Sequence, residues 1–325
     1  MTFADMVLLG LVTITWFGIC TLVTVLMHET GHLVFGKMSG YKLTGFAVTG
    51  FLIRNGKVET YPAKRLNFGQ CFMCCEDEEK DPKKLIAGGC ITNLVLGSVL
   101  VLTAILTLNL KDQSGVWRLM FIAVPALINI VMGCVNLFGG SATSDGNTLK
   151  EIRVKGGKQM YNRVMMITAH LLDGRAFSEM PEGLFRWSGD RNKCSLAAEL
   201  SMYAYYRKFE KIEDAAELKS LMRESGFDRK PVSEPIFADE EEIERKIWQL
   251  VFGTGSQYSE IINADAKYPR ELVLQFLQSG ISESGFNKAL ENLEKPMYGL
   301  ARSAQFSKTA LKKALNGKDR RNKGK

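Results

Sequence analysis

The chain contains only three histidines, and two of them stand four residues apart in His28-Glu29-Thr30-Gly31-His32. On an α-helix that spacing places both imidazoles on one face, where they can converge on one cation with Glu29 projecting beside them. Imidazole nitrogens and a carboxylate are the donors zinc prefers, and at catalytic sites zinc keeps one tetrahedral position open for water. The pattern therefore points to a metal site at the end of the first apolar run. A catalytic ion needs a third protein ligand. Asp145 is the only carboxylate between Asp112 and Glu151, and Gly146 lets the backbone turn tightly after it. His170 and the Cys71-Phe72-Met73-Cys74-Cys75 cluster are the competing donors. The cluster has no second pair to complete a four-cysteine site, and reduced or lipid-modified cysteines fit it equally well.

The pentad follows directly on an apolar run. No charge occurs over Met6–Met27, Leu85–Leu110 or Leu119–Ser144, whereas no such run follows Lys150. Each is long enough to cross about 30 Å of hydrocarbon as a helix, so spans are expected over 6–36, 85–110 and 119–138. Whole-chain averages hide this asymmetry: 325 residues, 46% hydrophobic, 24% charged, formal net charge +7. They exclude a disordered, collagenous or disulfide-framework protein, and the runs exclude a purely cytosolic enzyme. The first run lacks a basic leader and reads as a retained span rather than a cleaved signal. Ionisable groups at membrane depth are costly and mark functional sites. The odd number of cysteines, without framework spacing, reads as reduced thiols.

Positive residues set the expected topology. Lys37, Lys42, Arg54, Lys57, Lys64, Arg65, Lys80, Lys83 and Lys84 lie between the first two spans, against Lys111 and Arg118 between the second and third. Positive-inside bias then puts the N-terminus outside and residues 151–325 in the cytoplasm, as a multi-pass protein of a bacterial plasma membrane. Within the first loop, Tyr41–Thr49 and Phe51–Thr60 are rich in β-branched and aromatic residues around Asn55-Gly56, which predicts a β-hairpin over 41–60. Asn93, Asn129, Asn136 and Pro125 lie inside spans and need protein partners there. The tail reads as helices over 195–209, 212–225, 240–252, 271–278, 284–293 and 304–315, similar to tetratricopeptide-like arrays or to a generic helical domain. Its basic end, 316–325, is expected to be disordered and to rest on anionic lipid rather than nucleic acid.

These residues resemble the site-2 proteases, which are intramembrane zinc metalloproteases, and the resemblance covers residues 1–150. The family's His-Glu-x-Gly-His pattern is met by His28, Glu29, Gly31 and His32. Its small-residue motif is approximated by Gly88-Gly89-Cys90-Ile91-Thr92-Asn93, with Gly88 in place of alanine, Cys90 in place of proline and Asn93 in register. Its third-span motif is approximated by Asn136-Leu137 and Asp145-Gly146, joined here by a Gly/Ser/Thr-rich rather than a Pro-rich turn. The resemblance implies an all-α membrane protein: a three-helix transmembrane core with a membrane-proximal β-hairpin, followed by a soluble helical tail. It implies zinc held by His28, His32 and Asp145, Glu29 as catalytic base, and substrate contacts from Asn93, Asn136, Gly50 and Phe51. The implied activity is hydrolysis of peptide bonds within or near transmembrane segments of membrane-anchored substrates. Expected partners are such a protein or peptide, the lipid bilayer and a soluble protein on the tail, with no nucleic acid. Two other classes remain open: an inactive scaffold that binds hydrophobic segments, and a transporter, for which three spans without internal duplication are few.

Overall fold

The computed structural model describes residues 2–60, 69–107, 113–139, 144–189 and 194–211. The chain divides into two compact units, Met1–Ala169 and His170–Lys325. Three helices are long and apolar enough to cross a membrane, consistent with a membrane protein.

The first helix, α1 (Phe3–Met38), opens with a capping box in which Thr2 and Asp5 satisfy each other's backbone N–H. Most of its N-terminal large apolar side chains are exposed, among them Leu8, Ile14 and Phe17. Such exposure suits contact with lipid tails rather than with water. The second helix, α2 (Lys83–Thr107), packs against both α1 and α3 (Gln113–Phe138). Small residues permit the close crossing with α1: the carbonyl of Gly88 would lie 2.5 Å from a Cβ placed on Gly31. The third helix runs through Pro125 as one element. Nδ2 of Asn129 donates to the Pro125 carbonyl at 2.8 Å and to Thr24 Oγ1 of α1 at 3.0 Å. The polar residues inside the spans therefore tie helices together.

The expected hairpin is part of a larger element. β1 (Lys42–Val48), β2 (Phe51–Arg54), β3 (Lys57–Thr60) and β4 (Gly69–Cys74) form a four-stranded antiparallel sheet in the order β3-β2-β1-β4. Both tight turns carry positive φ at their two central residues, Thr49-Gly50 and Asn55-Gly56, as two-residue hairpin turns demand. The fourth strand occupies the segment read from sequence as a cysteine cluster. It is a sheet edge, and it packs on α1.

Two short helices follow the spans. The first, α4 (Asp145–Glu151), is capped by Ser144, whose Oγ accepts from the Asn147 N–H at 3.3 Å. α4 packs on α2 and α3. The second, α5 (Gly157–Leu172), buries Met160, Val164 and Ile167 at helical spacing. Buried Asn162 fastens α5 to the stretch before α2. Its Nδ2 donates to the carbonyls of Glu78 and Lys80, both at 2.9 Å, and its Oδ1 accepts from the Tyr41 hydroxyl at 3.0 Å. Arg163 grips Glu78, and Gln159 grips Glu79.

In the second unit, two 3-10 turns (Phe177–Glu179 and Glu182–Phe185) precede α6 (Ser195–Lys211). Phe177, Phe185, Tyr203 and Tyr206 form its aromatic core, and Ala197 and Leu200 are buried on the same helix. The helices expected over 212–225, 240–252, 271–278, 284–293 and 304–315, and the basic end 316–325, lie outside the described residues.

Candidate metal centre

Nε2 of His28, Nε2 of His32 and Oδ2 of Asp145 form a nearly equilateral triangle with sides of 3.2 Å (His28–His32), 3.2 Å (His28–Asp145) and 3.4 Å (His32–Asp145). Three elements build it. The i, i+4 spacing on α1 supplies the imidazoles, α4 supplies the carboxylate at its first residue, and α2 closes the third side. Donors about 2.0–2.1 Å from a tetrahedral ion stand about 3.3–3.4 Å from one another, so the triangle has the size of one face of such a site.

Hydrogen bonding around the triangle fixes what its corners present. His32 Nδ1 lies 2.8 Å from the carbonyl of Leu85. A carbonyl only accepts, so Nδ1 carries the hydrogen, and the neutral ring turns a bare lone pair on Nε2 toward Asp145. Two lone pairs facing at 3.4 Å require a positive charge between them, a proton or a metal ion. Asp145 itself is held as an anion. Burial pushes its carboxyl up, but hydrogen bonds and charge from His28 and His32 outweigh burial and keep it well below the usual carboxylate range. Cys90, fully buried on α2, donates from Sγ to the same Oδ2 at 3.2 Å.

Room for an ion depends on Gly89. A Cβ at that position would stand 2.5 Å from His32 Nε2 and 2.7 Å from His28 Nε2. Glycine thus leaves open the side of the triangle that any other residue would fill. His28, His32 and Asp145 form the one group with metal-binding spacing among the described residues. The set fits a divalent ion in donor type, spacing and hydrogen-bond support.

The remaining residues singled out from sequence fall in different places. Glu29 is 6% exposed and lies beneath the start of β4, where its Cγ would meet a Cβ on Gly69 at 2.6 Å. The backbone N–H of Cys71 donates to its carboxylate. Asn93 is fully buried and meets Nδ1 of His28 at 3.2 Å, so it supports a ligand. Asn136 is half-buried near the end of α3, and its carbonyl packs close to Gly146 at the start of α4. Gly50 and Phe51 belong to the β1–β2 turn and to β2. Phe51 pairs with Val48, and Val48 pairs with Gly69, so β1 separates them from the strand that covers Glu29. At about 4.8 Å per strand that is roughly 10 Å, so the structure does not bring these two residues to Glu29.

The rival donors are not part of the triangle. His170 belongs to the second unit. Strand alternation puts Cys74 on the opposite face of β4 from Cys71 and Met73, whereas Cys75 is buried with Met73 in an apolar cluster against which Cys71 packs. Burial and the nearby Glu29 charge push the Cys71 thiol up to about 12. All seven cysteines are free. Residues that sequence reasoning missed are Leu85, which acts through its carbonyl, Cys90, and Gly69 with the Cys71 backbone of β4. Backbone donors and acceptors leave no trace in residue type, whereas Cys90 stood in a motif already marked by its small residues. No protein-family model, curated protein or solved structure matches the chain.

Proposed function

We propose that this chain is an intramembrane zinc metalloprotease of the site-2 kind, cutting peptide bonds within or near transmembrane segments of membrane-anchored substrates. The observation that carries the reading is the tetrahedral-face triangle of His28, His32 and Asp145 with Glu29 one residue from His28. Held by those three residues, zinc supplies Lewis acidity toward a carbonyl oxygen and lowers the pKa of a water toward neutrality.

The chain's own groups account for the rest. Glu29 takes a proton from the attacking water and passes it to the leaving amine nitrogen. The Cys71 N–H holds the Glu29 carboxylate in place, and its burial keeps bulk solvent away. Leu85 and Asn93 orient the two imidazoles, and Cys90 steadies Asp145. A substrate helix hides its amides in its own ladder and must unwind before it can be cut. As the sheet's edge strand, β4 supports capture of the unwound segment by strand addition beside Glu29, the role expected from sequence for the 41–60 hairpin. Lys/Arg placement supports an N-terminus outside and the tail in the cytoplasm.

The decisive experiment is Glu29→Gln in purified full-length protein. The variant is expected to keep its bound zinc, measured by elemental analysis, while cleavage of membrane-peptide substrates falls by about 10²–10⁴-fold. Cleavage at the normal rate would remove Glu29 from the role of base.

A further inference from the structure

We infer that the first unit carries a binding site for the phosphodiester headgroup of an anionic lipid, between the start of α2 and the turn that joins α4 to α5. A cavity of about 360 Å³ lies there, lined by Lys83, Ile152, Arg153, Val154, Lys158 and Gln159. Three cationic side chains converge on it. Asp81 pairs directly with two of them, meeting Lys158 at 3.1 Å and Lys83 at 3.5 Å. Arg153 is exposed and makes no ion pair among the described residues. The Gln159 amide is committed to Glu79. Three cations against the carboxylates of Asp81 and of Glu79, which Gln159 holds at the cavity's edge, leave an excess of one positive charge facing an open cavity, which suits a phosphate carrying one negative charge.

Position decides between a lipid and a free ion. Lys83 is the first residue of α2, a helix apolar enough to cross a membrane, so the cavity sits where that span leaves the hydrocarbon. Its wall is also partly apolar: Ile152 is buried and Val154 is 49% exposed beside the cations. A phosphate joined to glycerol and acyl chains presents both characters at that depth, and basic pockets at the ends of spans are where such headgroups bind.

Native mass spectrometry of the full-length protein, in micelles doped with phosphatidylglycerol or phosphatidylcholine, tests it. Wild type should retain phosphatidylglycerol in preference to phosphatidylcholine. Lys83→Gln and Arg153→Gln should each weaken retention about fivefold, and Arg153→Lys should restore it. Lys42→Gln removes the same charge at an exposed ion pair elsewhere and should leave retention unchanged. Arg153 is exposed, so its single variant carries the test should the Lys83 variant misfold. The site is overturned by equal retention in Arg153→Gln and wild type, or by equal loss in Lys42→Gln, which would indicate diffuse surface charge. Displacement of the lipid by inorganic phosphate at matched concentration overturns it too, because a free anion would then be the ligand.

Discussion

Asn93 approaches Nδ1 of His28 at 3.2 Å, and this pairing sets which nitrogen of the imidazole faces Asp145. Two orientations of the amide are compatible with that distance. With Nδ2 toward the ring, His28 carries its hydrogen on Nε2, and Asn93 Oδ1 is left buried without a partner. With Oδ1 toward the ring, Nδ1 carries the hydrogen, and Nε2 presents a lone pair beside that of His32. A bound cation selects the second orientation, as the hydrogen-bond partners of metal-ligating histidines generally do.

Asn93→Leu should therefore lower metal affinity about 10–100-fold, while Asn93→Asp, which still accepts from Nδ1–H, keeps most of it. Competition against a chelating dye reads the difference. Equal affinity in wild type and Asn93→Leu would detach Asn93 from the ligand set.

Gly89→Ala should damage the site without damaging the helix. Alanine is the better helix former by about 1 kcal/mol, so helical content by circular dichroism should be kept. The added methyl meets both Nε2 atoms, and metal content should fall at least about tenfold. A variant with normal metal occupancy would show that the open side of the triangle is not needed.

How much of this was legible in the sequence depends on which atoms carry each role. His28, Glu29 and His32 were readable because a helix converts their spacing directly into one face. Asp145 was readable as the lone carboxylate after the third apolar run, but its nearness to the imidazoles is set by packing of α4 on α2 and α3. The sheet was half legible: Asn55-Gly56 announced a hairpin turn, whereas Gly69–Cys74 lacks β-branched residues and its cysteines suggested a cluster instead. The strand over Glu29 is therefore the part of the sheet that residue types do not announce. The Leu85 carbonyl and the Cys71 N–H belong to the backbone, and only the fold discloses where they point.

Asn162→Leu should unfasten α5. The change removes the amide's bonds to the part-buried carbonyls of Glu78 and Lys80 and leaves the Tyr41 hydroxyl only its longer contact with the Lys80 carbonyl, so about 2 kcal/mol of stability should be lost. Denaturant unfolding in micelles measures this, with Asn162→Asp intermediate because its carboxylate still accepts from Tyr41. A loss below about 0.5 kcal/mol would mean that water replaces the amide at no cost.

Asp145 makes acid stability of the metal-free protein depend on the triangle. Its folded pKa lies below the unfolded value of about 3.9, so its contribution is complete above that value and is lost as pH falls through the folded one. In chelator-treated protein, the stability gap between wild type and Asp145→Asn should therefore begin to narrow only below about pH 4 and go on narrowing as the pH falls further. A gap that does not change with pH would mean that the carboxylate is not preferentially charged in the fold.

The length of α1 carries a consequence for the products. Counting from Phe3, the rise to His28 is about 38 Å, more than the roughly 30 Å thickness of a bilayer's oily layer. With the uncharged run Met6–Met27 filling that layer, the donors would sit toward one rim of the lipid rather than at its midline. If the chain cuts there, scission falls near one end of the victim's anchor. One fragment would be a nearly whole anchor that stays greasy and trapped, the other a lightly tethered head free to diffuse away.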